Sequence, residues 1–390
     1  MGRSYLRFMT MTATSSVDVS VDSPTDWVAI AHRLGTDFEA GVADRDRVGV
    51  LAVDAFQQLR ATGLSRALVP VEFGGGGASH QEMGDVLREL ARHDPATAVA
   101  FSMHAHVLGA QVWRHHHGLD ASGVFAKVVD GAILISTGAS DWLGSTGTAR
   151  RVDGGYRVSA RKGPASACEV GQILVTSIRW QDGPDGPQVL HCAVPFAADG
   201  VRIEPTWDTL GMRATGSHTV VLDDVFVPDA AVSLVRPADQ WPPVWNSVLG
   251  VALPLIMAAY LGIADRAVEL ATAAAAGRSE PHVFQLLGEM MNAYTTAADI
   301  VAAMFTASDN LRFAHTDQHA ARTLSRKTVA AEALIDTVRL AIDVAGGFGY
   351  TRQSDLERLY RDVHGCLFHP LGRAKQTQFT GRVALGLSPI

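Results

Sequence analysis

Histidines carry most of the acid–base potential of this sequence, and His369 stands in a segment without a carboxylate. No Asp or Glu occurs from His364 to the C-terminus, whereas the run His369-Pro-Leu-Gly-Arg-Ala-Lys375 is basic. An imidazole of near-neutral pKa can donate a proton at one stage of a reaction and accept it at another. The paired Gly346 and Gly347 suit a different task, the close approach of backbone to a phosphate. His115, His116 and His117 follow Trp113-Arg114 at an expected helix end, where the dipole stabilises cations. They have no partnering Cys and no HExxH spacing, so no metal site is expected. Cys168, Cys192 and Cys366 lie far apart and form no CxxC, which suits a reduced compartment rather than a disulfide framework.

The elements that must position these groups fall into three blocks. From Asp26 to about Val129 the apolar period is helical: Trp27, Ile30, Ala31 and Leu34 share one face, and Val53, Phe56 and Leu59 another. The run Val71-Glu-Phe-Gly-Gly-Gly-Gly-Ala78 breaks the helices. Ser79 is then placed to cap a new one over His80 to Arg92. Near Gly131 the period changes to two. Tyr156 to Arg161, Gln172 to Ile178, Val189 to Val194 and Thr219 to Val227 read as strands, with turns at Asp153-Gly-Gly155 and Asp182-Gly-Pro-Asp-Gly186. From about Trp245 the helical period returns in long Ala-rich segments. The reading is a flexible tail over residues 1–23, a helical domain over 24–131, a β-domain over 132–236 and a helical-bundle domain over 237–390. Segregated blocks of this kind make an α+β protein rather than a parallel α/β sheet.

Composition narrows the partners. Of the 390 residues 47% are hydrophobic and 19% charged, as in a folded chain with a generous core, and the net charge of −7 argues against nucleic acid or an anionic membrane. The apolar run from Val248 to Ala264 nearly reaches spanning length, but Pro254 and two glycines interrupt it, so it reads as a buried core helix. The early arginines precede too few apolar residues for a signal peptide, and a cytoplasmic protein is expected. The Ala-rich helices of 250–275 and 290–345 are expected to present more apolar surface than one subunit covers, which predicts a homotetramer or at least a dimer.

Several segments in order resemble the acyl-CoA dehydrogenase superfamily. They are Leu68-Val-Pro-Val-Glu-Phe-Gly-Gly-Gly-Gly77, Gly154-Gly-Tyr-Arg-Val-Ser-Ala-Arg-Lys162 and Trp207-Asp-Thr-Leu-Gly-Met-Arg-Ala-Thr-Gly-Ser217, then Asp223-Asp-Val-Phe-Val-Pro228. Near the end follow Ala345-Gly-Gly-Phe-Gly-Tyr350 and Leu356-Glu-Arg-Leu-Tyr-Arg-Asp362. The resemblance runs from about residue 26 to the C-terminus. It implies an N-terminal helical domain, a middle β-barrel-like domain and a C-terminal four-helix bundle, with a flavin, FAD or FMN, in the cleft between them. By the same resemblance Ser136, Thr137 and Ser166 meet the flavin ring. Gly346 and Gly347 approach its phosphates, and Asp343 replaces a glutamine beside the pyrophosphate. His104 lies on a helix that lines the cleft in relatives and is a candidate to face substrate.

A dehydrogenase of this family needs a carboxylate to remove the proton alpha to a thioester. The resemblance places Pro370 at the usual position of that base. Ala252 falls at the alternative position and Leu253 where the supporting arginine stands, so all three are apolar. His369, one residue from the lost base, resembles instead the histidine of the superfamily's flavin monooxygenases. Those enzymes receive reduced flavin from a separate reductase and use oxygen, and their histidine and a serine handle the proton; Ser166, or Ser136 with Thr137, is the candidate hydroxyl. The leading expectation is a two-component monooxygenase acting on a small organic molecule. The alternatives are an acyl-CoA or acyl-carrier-protein dehydrogenase with a displaced base, and an inactive flavin-binding homologue.

Overall fold

The computed structural model describes residues 25–138 and 141–390; the expected tail over 1–23 lies outside them. The first block comprises α1 (Trp27–Glu39), α2 (Val42–Val48), α3 (Val53–Ala61), α4 (His80–His93), α5 (Pro95–His116) and α6 (Ser122–Val129). Local chemistry sets their starts. The Asp26 carboxylate accepts from the Ala29 N–H. Ser79 and Glu82 form a reciprocal capping box on α4. Asp94 caps α5, with Pro95 in its first turn.

Among the described residues the second block holds eight strands: β1 (Leu134–Ser136), β2 (Thr148–Val152), β3 (Gly155–Ala165), β4 (Ile173–Trp180), β5 (Gln188–Pro195), β6 (Val201–Glu204), β7 (His218–Pro228) and β8 (Val232–Pro237). They form two four-stranded sheets, β1-β4-β5-β8 and β2-β3-β7-β6. Among the described strands only β1 pairs in parallel, with β4. Buried Val158, Leu174, Ile178, Leu190, Val220 and Leu222 belong to the core. Lys162 is also fully buried, its ammonium 2.8 Å from Asp141 and donating to Thr146 as well. A buried charge is tolerated only with such partners.

The third block is α7 (Val244–Ala275), α8 (Pro281–Ser308), α9 (Asp317–Ala345), α10 (Asp355–Val363) and α11 (Arg373–Ala384). The bundle is therefore three long helices with two short ones, and α4 and α5 pack on α7 as well. The 32-residue α7 runs unbroken through Pro254. It is 94% buried over its most apolar stretch, so tertiary packing outweighs the cost of the proline. That burial corrects part of one expectation: within 250–275, residues 250–264 are covered inside the subunit and form no free apolar surface. Large exposed apolar side chains include Phe348, Tyr350, Phe368 and Leu385 near the C-terminus, Phe284 and Met291 on α8, and Val71 and Leu210 elsewhere.

Candidate flavin and proton-transfer site

Two of the expected hydroxyl groups lie at the end of β1 and just beyond it. Ser136 closes the strand, and Thr137 shares a hydrogen bond of 3.1 Å with Thr176 on β4. Next to them Gly138 lies against the end of β3, where a Cβ would stand 3.0 Å from Pro164 Cδ. Ser166 follows two residues later. Its hydroxyl meets Ser217 at 2.7 Å, Ser217 meets Thr215 at 2.7 Å, and Thr215 donates to the Met212 carbonyl. Ala167 and Met212, which flank this ladder, both hold left-handed backbone, at φ 57° and 55°. Non-glycine residues adopt that region at a cost, and such strain concentrates at functional sites.

His369 is held by α7. Its Nε2 is 3.0 Å from the hydroxyl of Tyr260 on α7. A Cβ on Gly365 would fall 2.5 Å from that hydroxyl and 3.2 Å from Met212 Cγ. Gly365 thus lets the Tyr260 hydroxyl approach the backbone beside Met212. Burial pushes the His369 pKa down to about 3, helped by the cationic Lys327 and by His106. Burial raises the Tyr260 pKa well above its ordinary value. Both groups are neutral near pH 7, so one hydrogen bond joins a phenol and an imidazole, and one imidazole nitrogen remains to meet a reacting atom.

The carboxylate nearest in sequence, Asp362, is committed elsewhere. It is buried and accepts from the Met212 N–H at 2.5 Å, with Arg358 at 3.9 Å. Burial raises its pKa to about 6. Arg361 reaches both Asp46 and Glu357, so this Arg-Asp group ties α10 to α2. Ala252 and Leu253 are buried and Pro370 is half-buried, and none of the three brings an acid.

His104 departs from expectation. It is buried, with Nε2 2.7 Å from the Ser65 carbonyl and Nδ1 3.0 Å from the Leu134 N–H. Since Nδ1 accepts a backbone proton, Nε2 must carry the ring hydrogen. Both nitrogens are spent on fastening β1 to the first helical block, which leaves neither for substrate. The histidine triplet also separates. His116 meets the Leu311 carbonyl, His117 stacks on Trp113 and His115 lies near Glu72.

Asp343, Gly346 and Gly347 are at the C-terminal end of α9. Asp343 is exposed and paired with Arg339 at 3.1 Å, and a Cβ on either glycine would meet nothing within 4 Å. Lys327, which faces His369, is 16 residues earlier on the same helix, or about 24 Å along its axis at ~1.5 Å per residue. Within one subunit these three residues do not join the hydroxyl and imidazole groups.

Sequence reasoning did not single out Tyr260, Lys327, Ser217 or Thr215. Lys327 did leave a signal: with Ala320, Leu324, Ala331 and Leu334 it occupies the buried stripe of α9, where a charge is out of place.

Comparison with known proteins agrees with this architecture. Residues 34–117 match the acyl-CoA dehydrogenase N-terminal domain and residues 243–366 the C-terminal domain, together more than half of the chain. A putative acyl-CoA dehydrogenase, YdbM of Bacillus subtilis (strain 168), is 28% identical over 91% of this chain and 95% of its own length. The amino sugar nitrososynthase DnmZ of Streptomyces peucetius is 27% identical over 89% of this chain and 90% of its own. Among solved structures, KijD3 in complex with FMN and a dTDP-linked amino keto sugar superposes with a TM-score of 0.83. The two share 26% identity, covering 94% of this chain and 96% of KijD3.

Proposed function

This chain belongs to the acyl-CoA dehydrogenase family, and from that premise we propose that it is a flavin-dependent monooxygenase, not a dehydrogenase. The observation that carries the proposal is the Tyr260–His369 pair beside the position where a carboxylate base would stand. The similarity to a nitrososynthase and to the FMN-bound KijD3 supports an oxygenating branch, since installing a nitroso group places oxygen on nitrogen. The similarity to YdbM keeps the dehydrogenase as the reading to be excluded.

The residues present fit a flavin. Ser136, Thr137 and Ser166 offer neutral hydroxyls at one edge of the β-domain, which suits the polar rim of a flat ring with an apolar body. The bound reduced flavin, FMN or FAD, would supply the electrons that activate oxygen. Ser166 would orient the ring through the Ser217–Thr215 ladder. His369, neutral, would hold its proton at the ring nitrogen not engaged by Tyr260 and give a hydrogen bond to the oxygen being reduced; Tyr260 fixes the imidazole plane. Asp343, Gly346 and Gly347 would serve a flavin held by a neighbouring copy, consistent with their distance along α9. The substrate is a small organic molecule, and a separate reductase supplies the flavin in its reduced form. The exposed Tyr350 and Phe368, 82% and 84% accessible, belong to a subunit contact of a homotetramer.

The test is to mix the flavin-loaded protein anaerobically with straight-chain acyl-CoA thioesters. No bleaching is expected, whereas oxygen uptake should follow when a flavin reductase and NADH are supplied. Rapid bleaching by an acyl-CoA would restore the dehydrogenase. A stable monomer by light scattering at micromolar concentration would refute the tetramer.

A further inference from the structure

On the outer face of the first helical block, remote in role from the flavin residues, three potential ligands converge. His32 projects from α1, and Glu89 and His93, one helical turn apart, project from α4. One ligand atom of each lies within 4.8 Å of the others. We propose that these three residues form a binding site for a divalent transition cation of the zinc class.

The case rests on the second imidazole. His93 Nδ1 is 3.1 Å from Glu39 Oε2, and Glu39 is in turn held by Arg266. A proton on Nδ1 bonded to that carboxylate turns a lone pair at Nε2 inward. Metal-binding histidines are usually held this way, the outer N–H given to a carboxylate and the inner nitrogen aimed at the ion. His93 Nε2 is buried and has no hydrogen-bond partner. It faces Glu89 Oε1 at 3.4 Å, so with the proton on Nδ1 two lone-pair atoms confront each other. A cation between them removes the repulsion, and 3.4 Å is close to the ligand–ligand spacing of about 3.3 Å in a tetrahedral site with bonds of about 2.0 Å.

The other parts are compatible. His32 Nδ1 is 2.7 Å from Glu89 Oε1 and must retreat by a fraction of an ångström to admit an ion. Its side chain is 65% exposed and free to do so. Arg92 approaches the opposite oxygen of Glu89, Oε2, at 3.4 Å, leaving Oε1 for the cation. Gly35 on α1 provides the space: a Cβ there would lie 2.5 Å from His93 Cδ2. Water would complete the coordination from the exposed side. Two imidazoles and one carboxylate favour zinc, cobalt or nickel over calcium or magnesium. The competing occupant is a proton, which would make His93 an imidazolium donating to both Glu39 and Glu89.

The experiment is a Co2+ titration of the tag-free, full-length, chelator-treated protein, followed by visible absorption. One equivalent per chain with the intense bands of a four- or five-coordinate ion is expected. His32→Ala, an exposed change that leaves the fold intact by circular dichroism, should weaken binding at least about tenfold. Glu39→Gln should weaken it by roughly 10–100-fold through the lost support, with flavin affinity unchanged in both variants. Only the weak spectrum of hydrated Co2+, or wild-type affinity in His32→Ala, would overturn the site and leave the proton as the occupant.

Discussion

His369 and Tyr260 are joined by one hydrogen bond between two neutral groups, and that fixes what each substitution should do. His369→Ala removes that hydrogen-bond donor, so product formation should fall by roughly 10²-fold or more, with flavin affinity measured by fluorescence quenching unchanged. Tyr260→Phe keeps the ring and removes only the partner, so a smaller loss is expected. With its pKa pushed down to about 3, His369 stays neutral from pH 5 to 8. It should therefore add no inflection to the rate profile in that range, and an inflection abolished by His369→Ala would contradict this. His104 behaves differently. His104→Leu strands the buried Ser65 carbonyl and Leu134 N–H, each at about 1–3 kcal/mol. The variant should lose several kcal/mol in urea denaturation while the fraction that remains folded binds flavin normally. At Asp343 the family resemblance places a carboxylate beside the pyrophosphate, where its charge is repulsive. The pairing with Arg339 relieves part of that repulsion, so Asp343→Gln should tighten FAD by less than the ~1 kcal/mol of an unpaired charge.

At the scale of elements, the contact between α4 and α7 depends on the absence of a side chain. A Cβ on Gly262 would stand 2.1 Å from the Arg88 carbonyl, a backbone atom that cannot swing away. Arg88 also reaches across to Asp265 through two hydrogen bonds and to Tyr294 on α8. Gly262→Ala must therefore push α4 off α7, and overpacking of this kind costs about 1–3 kcal/mol or more. Because α7 also carries Tyr260, two residues away, the same variant should reduce turnover as well as the midpoint of thermal unfolding. Unchanged turnover in a destabilised Gly262→Ala would show that the displacement does not reach Tyr260.

For the whole molecule the buried histidines set the response to acid. Burial lowers His80, His104, His106 and His191 to about 4 and His369 to about 3. Between those values and the ordinary 6.5 the unfolded chain binds protons that the folded chain refuses. Their stabilisation is therefore present above pH 6.5 and is lost as pH falls, at up to about 1.4 kcal/mol per pH unit for each histidine. Asp362 acts in the opposite sense. Its folded pKa of about 6 exceeds the ordinary 3.8, so its contribution is present below 3.8 and lost as pH rises through 6. One acid offsets one histidine, and the net effect is loss of stability on acidification. The urea midpoint should fall distinctly from pH 7 to pH 5; an equal or higher midpoint at pH 5 would mean that these histidines are not held neutral.

The sequence by itself determined the order of helical, strand and helical blocks, because periodicity and capping are local properties. Ser79 with Glu82, and the alternating runs of β3, β4, β5 and β7, were legible for that reason. The family and the loss of carboxylates at Ala252, Leu253 and Pro370 were legible too, since they depend on residue identity at fixed spacings. Which histidine is free to react was not, because it depends on what the two ring nitrogens meet in space. His104 meets backbone on both sides, from residues 39 earlier and 30 later in the chain, whereas His369 meets a single phenol from a helix more than a hundred residues away. The tertiary structure alone also showed how the strands divide into two four-stranded sheets and that α7 runs unbroken through Pro254. It was likewise needed to bring His32 of α1 against Glu89 and His93 of α4, since only the spacing of the last two is written in one helix. Side-chain partners and desolvation are set by long-range packing, and no local pattern encodes them.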